Sequence, residues 1–233
     1  MASIKDALDE VINDDHSFIK LVVYTIPVCI SYMLFSIGNM GWFYFTAGIT
    51  TIILLTLLIK TINNVRNGEN YVLPDWNIFS FGISAFKSIF AVMPISGLCV
   101  WAGLKLTQIQ IPIPVQNIQL IYSIIVWLIL GSIMITSLIL YSKTEKIKDA
   151  YNFSLISETC IDMLLGVIFY SVQLIVLDVI FIGTFAYLFS LFWHLNNPVF
   201  IFICCFAIPS SIAITGNYLA QMDYEIVARE ENN

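Results

Sequence analysis

The chain has 233 residues, enough for one ordinary soluble domain or two small ones. Its composition excludes that: 59% of the residues are hydrophobic and 11% charged, against about 45–50% and about 25% in soluble proteins. Ten Lys and Arg with a net charge of −6 leave no basic stripe for phosphates, so nucleic acid is excluded as a partner.

The apolar residues fall in blocks, and the pattern predicts an all-α, polytopic membrane protein with six transmembrane helices and interfacial amphipathic helices on the cytoplasmic side. Residues 1–16 form an acidic N-terminal segment in which Ile4, Leu8, Val11 and Ile12 recur at helical spacing. Two readings of it stay open, an interfacial helix on the inner leaflet and a solvated acidic tail. No basic n-region precedes the first span, so that span itself is expected to direct insertion. A single transmembrane domain is expected over 17–220, with spans at about 18–37, 41–59, 83–104, 118–141, 163–192 and 199–219, and a short cytoplasmic tail over 221–233. About twenty helical residues cross a 30 Å hydrocarbon core. The fifth span is longer than needed and must tilt, kink or begin at the interface.

Orientation follows from the basic residues. Lys5, Lys20, Lys60, Arg66, Lys87, Lys143, Lys146, Lys148 and Arg229 fall on the side of the two termini, and Lys105 alone falls opposite. Nine against one places both termini in the cytoplasm of a cell membrane. On the outer side, Gly38-Asn39-Met40-Gly41 reads as a tight turn, Pro112 and Pro114 make an extended connection, and Pro198 opens the last span. The two inner connections echo one another at an offset of about 75 positions: Asn77-Ile78-Phe79-Ser80 against Asn152-Phe153-Ser154. A parallel duplication of the helix pairs fits, and so does the plain likeness of any two inner connections.

Candidate chemistry is sparse. Asp178 sits in Leu174-Ile175-Val176-Leu177-Asp178-Val179-Ile180-Phe181, near the middle of the fifth span, with Ser171 seven residues earlier on the same helical face and Gln173 within a turn and a half. A carboxylate at that depth costs about 2.5–3.5 kcal/mol on insertion scales. It reads either as a protonated packing residue bonded to a neighbouring helix or as a proton- or cation-handling site in a transport path. Pro27, Pro94 and Pro209 lie inside spans, where each removes a backbone hydrogen bond, kinks its helix and frees a carbonyl. The five cysteines read as buried packing residues. With two histidines and no HExxH, GxSxG or phosphate-loop pattern, no enzyme activity, metal or cofactor is expected.

The opening Ile4-Lys5-Asp6-Ala7-Leu8, followed by Asp14-Asp15, Phe18, Lys20 and Ile26-Pro27, resembles the start of an uncharacterised prokaryotic membrane family, domain of unknown function number 4013. Asn64-Val65-Arg66-Asn67-Gly68, then Leu73-Pro74-Asp75-Trp76 and Gly82, is similar to that family's most distinctive signature, and Gly216-Asn217-Tyr218-Leu219-Ala220-Gln221 is similar to its close. The resemblance implies a six-span bundle in a bacterial or archaeal cytoplasmic membrane and no known activity. On the residues alone, Pro74 ends a helix, Asp75 can cap the next one and Trp76 can anchor at headgroup level. An interfacial helix is expected from Asn77 to Ser88. The leading functional reading is a non-enzymatic scaffold or accessory component for an unidentified membrane or cytoplasmic protein, embedded in the lipid bilayer. The alternative is a small transporter or permease using Asp178.

Overall fold

The computed structural model describes residues 3–75, 78–109, 117–178 and 198–231. Among them every regular element is a helix: α1 (Ile4–Asn13), α2 (Ser17–Ser36), α3 (Met40–Arg66), α4 (Ile78–Leu106), α5 (Ile118–Thr144), α6 (Ile147–Ala150), α7 (Phe153–Asp178) and α8 (Pro198–Glu231). Five stretches are long and apolar enough to cross a membrane: Ser17–Ser36, Met40–Arg66, Gly82–Leu106, Ile118–Thr144 and Pro198–Asp223. This is the length and composition of a multi-pass membrane protein. The fifth expected span, 163–192, is described only as far as Asp178, within α7; its remainder lies outside the described residues, as do Trp76, Asn77, Pro112 and Pro114.

Several helices run past the expected spans, for local reasons. The α3 helix continues seven residues beyond Ile59, to Arg66, because Lys60-Thr61-Ile62-Asn63-Asn64 is polar enough to leave hydrocarbon but contains nothing that breaks a helix. It stops where Gly68 takes φ +63°, a left-handed conformation natural to glycine. The α4 helix is unbroken from Ile78 to Leu106, so residues 78–88 of the expected interfacial helix are the first part of one long helix. The α7 helix opens at Phe153, ten residues before the expected span, behind Asn152, whose side-chain oxygen accepts the Leu155 N–H at 3.4 Å. Finally, the expected tail from residue 221 is the end of α8, which stays helical to Glu231. Between α2 and α3 the turn is tighter than expected: Met40 and Gly41 are already helical, and Gly38 at φ +76° makes the reversal.

The described residues pack as two compact units. The first comprises 1–85 with 172–233, and the second 86–171. In the first unit α2, α3 and α8 pack against one another, and α1 lies on α8 and α2. Gly216 of α8 meets Thr61 and Leu58 of α3, and Asp223 meets Arg66, so these two helices run in the same direction. A Cβ on Gly216 would stand 3.0 Å from Thr61 Cβ and 3.1 Å from Leu58 O, so any larger residue would have to push α3 and α8 apart by a few tenths of an ångström. The core of the unit is Val11, Leu21, Tyr24, Leu57, Leu73 and Ala213. The N-terminal segment is thus a helix, but it buries Ala7 and Val11 against the protein's own α8 and leaves Ile12 exposed.

In the second unit, Gly103 of α4 faces Trp127 of α5: a Cβ there would lie 2.7 Å from the indole ring. The Gln119 side-chain amide donates to the carbonyls of Thr107 and Ile109, both at 3.0 Å, and so satisfies acceptors left over where α4 ends. Ser137 donates to Ala150 O at 3.0 Å and holds α6 against α5.

Candidate functional site

Four chain segments meet at one end of the first unit: α1, the start of α2, the connection 67–75 after α3, and the last turns of α8. The connection arrives there because Leu73 is a fully buried peg in the core between Val11, Leu21, Tyr24, Leu57 and Ala213. Burying a leucine side chain stabilises by about 1.5–3 kcal/mol. The peg gives the leucine before Pro74 a structural role.

Around the peg, polar side chains satisfy a backbone that cannot form a helix at Pro74. Asp14, fully buried at its carboxylate, accepts the N–H groups of Val72 at 3.2 Å and Leu73 at 3.0 Å. Two backbone donors that Pro74 keeps out of any regular element are thereby capped by a charge. Lys20 balances it. Its ammonium lies 3.5 Å from Asp14, donates to Leu73 O at 3.0 Å, sits 3.3 Å from Asp75 and stands 5.0 Å over the Tyr71 ring. The Tyr24 hydroxyl donates to Pro74 O at 3.4 Å, and Asn64 Nδ2 donates to Val72 O at 3.2 Å. Each carbonyl from Val72 to Pro74 therefore has a side-chain donor.

A second set of contacts ties α8 to the same end. Arg66 reaches Asp223 through Nε at 3.1 Å and a terminal nitrogen at 3.0 Å, and both side chains are largely buried. Asn217 Nδ2 donates to Ala7 O at 3.3 Å and to Glu10 Oε2 at 2.8 Å. Gln221, one helical turn on, donates to Asn217 Oδ1 at 3.2 Å and accepts the Ser3 N–H at 3.4 Å. A fully buried asparagine and its glutamine neighbour thus hold α1 down along its length.

Of the signature residues, Arg66, Gly68, Leu73, Pro74 and Asp75 are all drawn into this arrangement; Trp76 lies outside the described residues. Asp75 is directed to Lys20 and remains largely exposed. The residues of the expected intramembrane site, Ser171, Gln173 and Asp178, belong to α7, and their side chains lie outside the described residues. The three prolines are interior to helices as expected, Pro27 in α2, Pro94 in α4 and Pro209 in α8. The carbonyl that Pro94 deprives of its helical donor is that of Phe90, and it is not free: the Tyr151 hydroxyl donates to it at 2.6 Å. Near Pro27, the Ser31 and Thr50 hydroxyls both donate to the proline carbonyl, at 2.9 and 3.1 Å, and link α2 to α3.

Sequence reasoning assigned no role to Asp14, Tyr24, Asn64, Asn217 or Asp223. A signal existed for the last two: Asn217, Gln221 and Asp223 are polar positions within two turns at the end of an apolar helix, and Asn217 and Gln221 share a face. No family model, no curated protein and no solved structure matches this chain.

Proposed function

We propose that this protein is a non-enzymatic, six-span scaffold or accessory component of a prokaryotic cell membrane, with both termini in the cytoplasm. The observation that carries the reading is how the polar residues are spent. Asp14, Lys20, Asn64, Asn217 and the Arg66–Asp223 pair bind the chain's own backbone and one another, so their chemistry goes into shape. What they hold in place is α1, with Lys5, Asp6 and Asp9 exposed along its outer side. A helix fixed this firmly, with its outer side exposed, suits recognition by a membrane or cytoplasmic protein. The resemblance to the uncharacterised family supports the reading in one respect, since Ala7, Asp14, Lys20, Asn64, Arg66, Leu73, Asn217 and Gln221, which are among the residues that carry it, meet in this clamp.

Capture from native membranes tests it. A tagged chain is expected to retain a defined set of proteins, and Asp6→Lys with Asp9→Lys to release them while the protein remains folded. Equal retention by both forms would overturn the proposal. The orientation is tested separately by a reporter fused to Asn233, which is to be active only inside the cell. The alternative, a transporter using Asp178, predicts a proton-coupled flux in proteoliposomes that Asp178→Asn abolishes without altering folding.

A further inference from the structure

We propose that the second unit carries a binding surface for anionic phospholipid headgroups, formed by Lys87 of α4 and by Lys143, Lys146 and Lys148 around α6. Four of the chain's ten Lys and Arg fall in this one place, although the net charge of the whole chain is −6. All four lysines are exposed. The acids among them are Glu145 and Asp149, the latter accepting the Thr144 hydroxyl at 2.6 Å, so four lysines against two acids leave a positive excess.

Three observations point to lipid. The first is depth. The α5 helix is apolar along its length and ends at Thr144, so the turn that follows leaves hydrocarbon at headgroup level. The second is the company the lysines keep. Phe86 is 64% exposed, Phe90 50%, Phe153 70% and Ile147 40%. The rings of Phe86 and Phe90 lie 5.0 Å apart, on either side of Lys87 in sequence. A soluble acidic ligand would cover the ammonium groups and leave these side chains in water. A phospholipid meets both, with its phosphate on the lysines and its acyl chains on the rings. The third is fixation. The 2.6 Å bond from Tyr151 to Phe90 O joins the α4 aromatic pair to the α6–α7 turn, so Lys87 and the three turn lysines belong to one surface. Lysines at such a surface attract anionic lipid, each contributing about fivefold in affinity.

The full-length protein, purified in detergent, is to be offered phosphatidylglycerol or phosphatidylcholine and examined by native mass spectrometry. The wild type is expected to retain phosphatidylglycerol at least tenfold more strongly. In Lys87→Gln/Lys146→Gln/Lys148→Gln that preference is expected to vanish. The matching Lys→Arg triple, which keeps the charges, is expected to keep it, as is the control Lys5→Gln/Lys105→Gln. Equal retention of the two lipids by the wild type would overturn the proposal, and so would an unchanged preference in the Gln triple or a loss in the Arg triple as large as in the Gln one. The proposal rests on the membrane-spanning reading but not on the scaffold: a chain that stays dissolved without detergent removes the former, while lipid preference is blind to which protein α1 recruits.

Discussion

Removing the Asp14 carboxylate isolates what the clamp contributes. In Asp14→Ala the N–H groups of Val72 and Leu73 lose their acceptor inside a buried site, and Lys20 loses one of its two carboxylate neighbours. A hydrogen bond to a charged group contributes about 1.5–3 kcal/mol. The Leu73 bond at 3.0 Å belongs in the upper half of that range, and the longer Val72 bond at 3.2 Å in the lower half. The Lys20 contact is long, at 3.5 Å, and Lys20 keeps Leu73 O and Asp75, so its loss adds little. The local cost is therefore about 3–5 kcal/mol, which is the usual cost of breaking a buried ionic contact by removing one partner. Asp14→Asn is expected to be nearly as severe, because its single oxygen serves one N–H while its amide group turns a donor toward the other. Hydrogen exchange read by mass spectrometry over the peptide containing Val72 and Leu73 measures this directly. Exchange there is expected to accelerate by about a hundredfold or more, the factor that about 3 kcal/mol implies, while peptides of α5 keep wild-type rates. Wild-type protection over 70–75 in Asp14→Ala would refute the reasoning.

Three further outcomes follow from single contacts. Arg66→Met leaves Asp223 buried without its guanidinium and is expected to destabilise by about 3–5 kcal/mol, whereas Arg66→Met with Asp223→Leu recovers most of it, both read as thermal midpoints in detergent. Tyr151→Phe removes the donor to Phe90 O and is expected to cost about 1–2 kcal/mol. In a Pro94→Ala background, where the helix supplies its own N–H to that carbonyl, the same change is expected to cost much less; an equal cost in both backgrounds refutes the pairing. Gly103→Ala drives a methyl group into the Trp127 ring and is expected to lower stability by about 1–3 kcal/mol, while Gly97→Ala, which meets nothing within 4 Å, is expected to be neutral or slightly stabilising.

What the sequence made legible is what depends on period and composition. The helical class, the first four spans and the sixth follow from apolar runs, because a bilayer imposes its thickness on any chain that crosses it. The two helices that lead into the echoing connections, α3 and α5, have 27 residues each. The helix ends were not legible. The end of α3 at Arg66 and the start of α7 at Phe153 are set by a glycine and by a cap, and α8 runs past 220 because nothing there breaks a helix; hydropathy registers none of these. Nor was the clamp. Asp14 reads in sequence as one more acid in an acidic tail, and only the fold shows that it faces two backbone donors left over by Pro74, fifty-eight and fifty-nine positions away.

The clamp also accounts for the mix of residue types around Leu73 and Pro74. Proline after a helix end leaves N–H and C=O groups of the preceding residues without partners, and at the end of a membrane helix these must be satisfied by protein or stay in water. Here Leu73 takes the connection into the core, which removes water as the solution. Burial of the peg therefore requires a charged acceptor for two N–H groups, and Asp14 supplies it. It also requires donors for three carbonyls, and Asn64, Lys20 and Tyr24 supply those. Since Asp14 and Lys20 stand on either side of the α1–α2 junction, α1 cannot leave α8 without disturbing Leu73. The position of the N-terminal helix and the packing of the first unit are thus one equilibrium, and a change that displaces α1 disturbs both.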